Sequence, residues 1–262
     1  MRPRLRPLVV LPLAGLLAGC GASTRPAAVS GAQTVHEAKQ VQQPKAKQCR
    51  AGVAQPLGSG RVAFAAVVLR HAQAHRRPDG RAIASFGRLN QNGFPTTFGV
   101  RAVIRARDCR PLWYRVQLPL RPNGVTGYVR AAEVGVDSVR TRILVDISSR
   151  RLTFLRKGRV VIRTTIAVGS SATPTPTGSF YVNQRLIPDD TSGPFGPGAI
   201  GISAFSNVLT GWTQGGPVAI HGTNEPSSIG QAVSNGCIRV ANPILRRLFA
   251  STPAGTPVLI TE

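Results

Sequence analysis

Residues 141–168 read TRILVDISSRRLTFLRKGRVVIRTTIAV, and their patterning decides the fold of the C-terminal half. Ile143, Val145 and Ile147 alternate with Leu144, Asp146 and Ser148, the two-residue period of a strand with one buried face. RLTFL (151–155) follows after a tight turn, Lys157-Gly158 marks another, and VVIRTTIAV (160–168) alternates again. The segment therefore reads as a meander of antiparallel strands. Downstream, Asn242-Pro243 reads as a capping side chain followed by proline at the first position of a helix, PILRRLFA. VLI (258–260) reads as a closing strand. Residues 185–217, which contain PFGPGAIGISAF, are rich in Gly and Pro. They are too irregular for core structure and make a candidate substrate lid or groove wall.

Upstream, residues 57–136 hold short apolar runs separated by turn signals. The runs are RVAFAAVVL (61–69), GVRAVIRA (99–106), LWYRVQL (112–118) and GYVRAAEV (127–134), and the turns fall at RPDG (77–80), NQNG (90–93) and RPNG (121–124). A small all-β domain is expected. Trp113-Tyr114-Arg115-Val116 followed by Gly127-Tyr128-Val129 resembles the last strands of bacterial SH3-like modules. His71 and His75, in HAQAH, have a spacing that suits a metal-binding helix, but the Glu of a zinc protease motif is absent and no carboxylate cluster lies near, so a solvated loop is expected.

The N-terminus, MRPRLRPLVVLPLAGLLAGC, sets three arginines before an apolar run of about a dozen residues and then small residues. That order is an export signal, and the run is too short for an ordinary spanning helix. Leu17-Ala18-Gly19-Cys20 resembles the lipobox of bacterial lipoproteins. The resemblance implies cleavage after residue 19 and lipidation of Cys20, which holds the mature chain at a membrane surface outside the cytoplasm. The bland alternative is a plain signal peptide with Cys20 incidental. Residues 20–56 are dominated by Ala, Gln, Ser, Thr, Lys and Pro and read as a flexible tether.

The formal net charge is +23, carried mostly by arginine. Such a balance suits an acidic surface such as lipid head groups or anionic wall polymers. Aromatic residues are scarce and no basic run interleaves with them, so nucleic acid is not expected as a partner.

Export gives the four cysteines meaning. With Cys20 lipidated, the simplest allocation joins Cys49 to Cys109 and leaves Cys237 free. A free thiol in an oxidising compartment more often has a chemical role than a packing one. His221, the sole histidine of the C-terminal half, precedes it in HGTNEPSSIGQAVSNGCIRV (221–240). A cysteine attacks as thiolate and needs a base or a positive neighbour, which His221 can be. Gly236 lets the backbone bend close to a substrate carbonyl, and the amides of Gly236 and Cys237 can face the developing oxyanion. No acid is placed to orient His221; Glu225 is expected in solvent, which leaves a backbone carbonyl for that task.

HGT (221–223) followed by SNGCIRV (234–240) closely resembles the signature of the L,D-transpeptidase (YkuD) catalytic domain, and TPTPTGSFYV (173–182) resembles a second hallmark. The resemblance spans roughly 139–262. It implies a mostly β protein, a β-sandwich catalytic domain following a small SH3-like β-barrel, with the cysteine and histidine under a mobile lid. Carried over, Cys237 is the nucleophile, His221 the general base, and Gly236 an oxyanion donor. Ser234, Asn235, Arg239, Gly222 and Thr223 are substrate-binding candidates. Asn235 departs from many family members, which carry a second histidine there.

The implied reaction joins peptidoglycan stem peptides in 3→3 crosslinks through a cysteine thioester, with release of terminal D-Ala and with neither cofactor nor metal. Two alternatives stay open. Water could replace the acceptor amine, giving an L,D-carboxypeptidase, or the chain could be a wall-binding lipoprotein with a vestigial catalytic domain.

Overall fold

The computed structural model describes residues 49–262. The expected signal peptide, Cys20 and the tether up to residue 48 lie outside the described residues. The fold is mostly β. Eight strands form the first sheet: β1 (Gln55–Pro56), β2 (Ala63–Val68), β3 (His71–His75), β4 (Ala82–Gly87), β5 (Thr97–Arg105), β6 (Pro111–Gln117), β7 (Thr126–Arg130) and β8 (Val134–Val139). They lie in the order β4-β3-β7-β6-β5-β2-β8, with β1 also on β5. Alternation buries Phe98 and Val100 from β5, Val116 from β6 and Val129 from β7 in one core.

Three expectations change in this half. HAQAH is strand β3, not a loop. His75 is buried there, with Nδ1 donating to the Gly80 carbonyl oxygen over 2.7 Å, and it meets Trp113 edge-on at 5.3 Å. Because the carbonyl can only accept, Nδ1 carries the proton. A small apolar alternation, Ala72 and Ala74 between polar residues, decides the strand and was masked by the two imidazoles. The tether also stops short of residue 56: Cys49 is disulfide-bonded to Cys109, Ala51 bridges Arg105, and β1 pairs with β5. Under denaturing but non-reducing conditions, Cys237 alone of Cys49, Cys109 and Cys237 should take up an alkylating reagent. Labelling of all three contradicts the pairing.

A single residue, Arg140, separates β8 from the second sheet. That sheet contains β9 (Thr141–Asp146), β10 (Arg151–Arg156), β11 (Arg159–Thr165), β13 (Gly178–Leu186), β14 (Ala199–Phe205), β15 (Pro217–His221), β17 (Ile238–Arg239) and β18 (Pro257–Thr261). Two short strands, β12 (Val168–Gly169) and β16 (Ala232–Ser234), pair separately, and one helix, α1, spans Asn242–Ser251. The order is β11-β10-β9-β18-β13-β14-β15-β17. β9 and β10 pair from Arg151↔Asp146 to Arg156↔Thr141, and β18 enters beside β9 in parallel, so the chain's last strand lies mid-sheet.

After β11 the chain runs on to an antiparallel bridge, Ala167↔Arg239, and to the parallel β12–β16 pair. The two edges of the sheet are thereby brought together around one core. Ile143 and Val145, Leu152 and Phe154, Ile200 and Ile202, Val258 and Ile260 enter it, capped by Leu245 and Leu248 of α1. Each such buried aliphatic side chain contributes about 1.5–3 kcal/mol of transfer free energy. Residues 185–217 are not all irregular. Six of the seven residues of β14 are buried, so a strand buried on both faces lies within the expected lid.

The two sheets meet through polar contacts as well as packing. Gln117, 1% exposed, donates from Nε2 to the carbonyl of Ser179 over 2.8 Å. Asn123 exchanges two bonds with the backbone of Phe205, at 2.8 and 2.9 Å.

Candidate active site

The site forms where β15 ends and β17 begins. These strands pair in parallel, with Ile220↔Ile238 and His221↔Arg239 in register. Ile220 and Ile238 are both 0% exposed, so that face of the pleat enters the core. The opposite face carries His221 and Arg239, together with Cys237 one residue before β17. The sequence separation of 16 between His221 and Cys237 is thus closed by two adjacent strand ends and the loop between them.

His221 is 5% exposed. Its Nδ1 lies 2.6 Å from the carbonyl oxygen of Gly222. A carbonyl only accepts, so the proton of the neutral ring sits on Nδ1 and Nε2 keeps its lone pair. The orienting group is therefore a backbone carbonyl, while Glu225 is turned away to pair with Arg239 at 2.9 Å. That pair is largely exposed on the Glu225 side and adds little stability. Phe195, from the segment between β13 and β14, covers the imidazole edge-to-face at 4.8 Å between ring centroids. Burial pushes the imidazole down to about 4, the Arg239 charge adds to the shift, and the Gly222 carbonyl opposes it.

Cys237 is partly exposed and free. Burial pushes its thiol up, while the backbone of Ala219 and the Arg239 charge pull the other way. At neutral pH the resting pair is consequently a neutral thiol beside a neutral imidazole. The imidazole is held neutral by its burial, so no imidazolium stabilises a resting thiolate. It remains a competent acceptor, because its lone pair is free above about pH 4.

The turn carrying the thiol is held from within. Ser234, 2% exposed, donates from Oγ to the Cys237 carbonyl at 2.5 Å and accepts from the Gly236 N–H at 3.2 Å. Gly236 has φ +100°, which a side chain strains against. The Gly236 amide is thus already engaged, whereas the Cys237 amide has no hydrogen-bond partner among the described residues. Behind the turn, Ser170 N–H and Thr173 Oγ1 both donate to the Ser234 carbonyl, at 3.0 and 2.9 Å. This is where the TPTPTG segment acts: it braces the thiol's turn.

The other predicted residues divide in two. Asn235 is exposed and Arg239 half-buried beside the thiol, with its Nε buried and unpartnered among the described residues. Gly222 and Thr223 are buried, and Thr223 Oγ1 accepts from the Glu225 N–H at 2.9 Å, so its hydroxyl serves the loop.

Asn242 is the residue that sequence reasoning misplaced. Helix α1 begins with it, and its side chain makes no cap. Instead Oδ1 accepts from the Thr223 N–H at 2.8 Å and Nδ2 donates to the Thr223 carbonyl at 3.0 Å. A Cβ on Gly196 or Gly222 would fall 2.4 or 2.2 Å from that Oδ1, so the covering segment and the histidine loop close on the same amide. The only sequence signal was an Asn before Pro, which local rules assign to the helix. Asn242→Ala should lower stability by about 2 kcal/mol in urea unfolding, since both Thr223 groups lose their partner. An unchanged transition midpoint would show that water replaces the amide.

The family model for the L,D-transpeptidase catalytic domain matches residues 140–260. A Bacillus licheniformis protein named as L,D-transpeptidase YkuD is 38% identical over 125 residues, 48% of this chain and 68% of that one. Bacillus subtilis YqjB, also named as an L,D-transpeptidase, is 32% identical over 130 residues, covering 46% of this chain and 70% of its own. A crystal structure of a cysteine-to-serine mutant of Enterococcus faecium L,D-transpeptidase is 28% identical, covering 46% of this chain and 49% of that one. Its TM-score is 0.37. The chain spans about two thirds of the length of these curated relatives and about half of that solved chain.

Proposed function

The chain belongs to the L,D-transpeptidase (YkuD) catalytic domain family, and from that premise we propose that it is a cysteine-dependent peptidoglycan L,D-transpeptidase forming 3→3 crosslinks. The observation that carries the reading is the shared face of His221, at the end of β15, and Cys237, one residue before the parallel strand β17, with Nδ1 tied to Gly222 and Nε2 left as a base.

In the proposed reaction, Nε2 of His221 takes the thiol proton as Sγ of Cys237 attacks the carbonyl of the third stem residue. The Cys237 amide donates to the resulting oxyanion, and the Gly236 amide joins it once released from Ser234 Oγ. Collapse breaks the amide bond. The leaving amine of D-Ala takes the proton from His221, and a thioester remains. A side-chain amine of a neighbouring stem then attacks the thioester carbonyl and gives its proton to His221. Collapse expels the thiolate, which recovers that proton. Arg239, whose charge reaches both partners, favours the thiolate that attacks and disfavours the imidazolium, which readies His221 to pass its proton to the leaving amine. Gly222, Thr223 and Ser234 act in this scheme by positioning, and Asn235 and Arg239 by facing the stem peptide.

The Cys49–Cys109 disulfide supports an exported location, since such bonds persist in oxidising compartments. With the lipobox-like residues 17–20, the proposal places the mature protein lipid-anchored on the outer face of a membrane, its basic surface toward anionic lipid or wall polymers. β6 and β7, adjacent strands carrying Trp113–Val116 and Gly127–Val129, are the part of the first sheet that supports an SH3-like module.

The test is incubation with a purified disaccharide-tetrapeptide and analysis of products by mass. Crosslinked dimer supports transpeptidation. Accumulation of tripeptide with free D-Ala and no dimer assigns the carboxypeptidase reaction instead. Unchanged donor supports a vestigial domain.

A further inference from the structure

The imidazole of His221 is aimed by a carbonyl, and whatever holds that carbonyl decides how firmly the ring is aimed. Gly222 C=O and Thr223 N–H belong to one peptide unit, which is planar and stiff. Its oxygen accepts from Nδ1 of His221 at 2.6 Å, and its N–H donates to Oδ1 of Asn242 at 2.8 Å. Among the described residues these are the only hydrogen bonds to that C=O and that N–H. A continuous chain therefore runs from the imidazole, through one amide plane, to the Asn242 carboxamide.

Both ends of the chain are anchored. The His221 carbonyl accepts from the Val240 N–H at 2.9 Å, which ties the backbone of the histidine to the residue after β17. Asn242 opens α1, whose Leu245 and Leu248 are 1% and 0% exposed in the core. Its Nδ2 donates to the Thr223 carbonyl at 3.0 Å, so the carboxamide cannot turn over without losing both bonds. Between the anchors Gly222 has no side chain to restrain it, and its own N–H reaches only the Gly198 carbonyl, at 3.4 Å. Asn242 is thus the group that sets the amide plane.

The chain is also shielded from water. Gly222 is buried and Thr223 is 2% exposed. A Cβ on Gly196 would fall 2.8 Å from the Thr223 nitrogen, and one on Gly222 would fall 2.8 Å from Cδ of Pro197, so the covering segment closes directly over the amide plane. Hydrogen bonds in such surroundings polarise and strengthen one another. Helix capping does not account for the residue, because no side chain caps the start of α1.

We propose that Asn242 is a positioning residue for the base, the third member of a cysteine–histidine–asparagine arrangement in which one peptide unit stands between histidine and asparagine. A base in such a site is held by a third group, and here that group acts through the backbone. As Nε2 takes the thiol proton, Nδ1–H becomes a stronger donor and the Gly222 oxygen carries more negative charge. The conjugated Thr223 N–H, bonded to Asn242, carries the matching positive polarisation outward. No proton travels along the chain: Nδ1 keeps its proton throughout, and only Nε2 exchanges one with Sγ and substrate. This role rests on the acyl-transfer reading, in which His221 is the base.

The test compares the native full chain with Asn242→Ala and Asn242→Asp. Long-range proton–nitrogen spectra of isotope-labelled histidine at neutral pH read the tautomer, with the His221 signals identified by their loss in His221→Gln. D-Ala release from a tetrapeptide donor gives kcat and KM, counted per thiol that a carbapenem titrates, so that unfolded protein carries no weight. Native protein should show the Nδ1–H tautomer. Asn242→Ala should lose about tenfold in kcat, the worth of one ordinary hydrogen bond, with KM held within about twofold. Its ring should shift toward the Nε2–H tautomer. Asn242→Asp keeps an acceptor for the Thr223 N–H and loses the donor to the Thr223 carbonyl. It should therefore hold the Nδ1–H tautomer and stay within about threefold of native kcat while remaining less stable than native. A merely structural clasp would lower stability and leave tautomer and kcat per thiol at native values in both variants, which overturns the proposal. So does Asn242→Asp falling as far as Asn242→Ala. If the native protein releases no D-Ala, the acyl-transfer reading fails, and the tautomer comparison still decides whether Asn242 sets the ring.

Discussion

Cys237→Ala should lose acyl transfer from a stem-peptide donor by about 10⁴-fold or more while keeping its fold. Cys237 is partly exposed at a strand entrance, and its turn is held by the Ser234 hydroxyl through the Cys237 carbonyl and the Gly236 amide, not by the sulfur. Removing the sulfur therefore leaves those bonds in place, and stability should change by no more than about 1 kcal/mol. Chemistry is affected far more, since no other side chain on that face is a nucleophile; Arg239 is a cation and His221 is covered by Phe195. Intact mass after incubation with a carbapenem reads the same point. Native protein should gain one molecule of the drug and the alanine variant none. An adduct of equal yield on the variant would remove Cys237 from the mechanism.

His221→Gln should lower kcat/KM by about 10²- to 10⁴-fold, the range for a positioned general base. Its pH behaviour gives a second readout. Burial depresses the folded imidazole from 6.5 to about 4, so the base form persists in mildly acidic solution and the acidic limb of the native profile should fall near pH 4. The same shift couples to stability. Between pH 6.5 and about 4 the unfolded chain binds a proton that the folded chain excludes. The stabilisation is complete above the unfolded value and is lost as pH falls through that window, by about 3 kcal/mol in all. His221→Gln should flatten this part of the curve of unfolding free energy against pH. An acidic limb near 6.5, or matching curves for native and variant, contradicts a buried neutral imidazole.

Much of this site was legible before any coordinates. Cys237 and His221 stood out by scarcity, and alternation over 141–168 identified β9 to β11 because one face of each meets the core and the other solvent. Elements that break a single-face pattern were harder to read. β14 is buried on both faces and so shows no alternation, and β3 is a strand whose outward residues include a histidine that invites a metal reading. The role of Asn242 was hidden for a different reason. Its partner Thr223 is 19 residues away, and local capping rules see only the helix beside it. The resting charge state was also beyond sequence, since it follows from how deeply Phe195 and the strand pair bury the imidazole.

The central claim is that Cys237 carries the acyl group between donor and acceptor. It is tested most directly by intact mass of the native protein after acid quench from a tetrapeptide donor whose third-residue side-chain amine is acetylated, so that no acceptor amine is present. The account predicts a species heavier by the donor less D-Ala, located on the peptide containing Cys237 and absent from Cys237→Ala. Release of D-Ala by the native protein with no acylated species at any quench time, or the same adduct on the alanine variant, would contradict it.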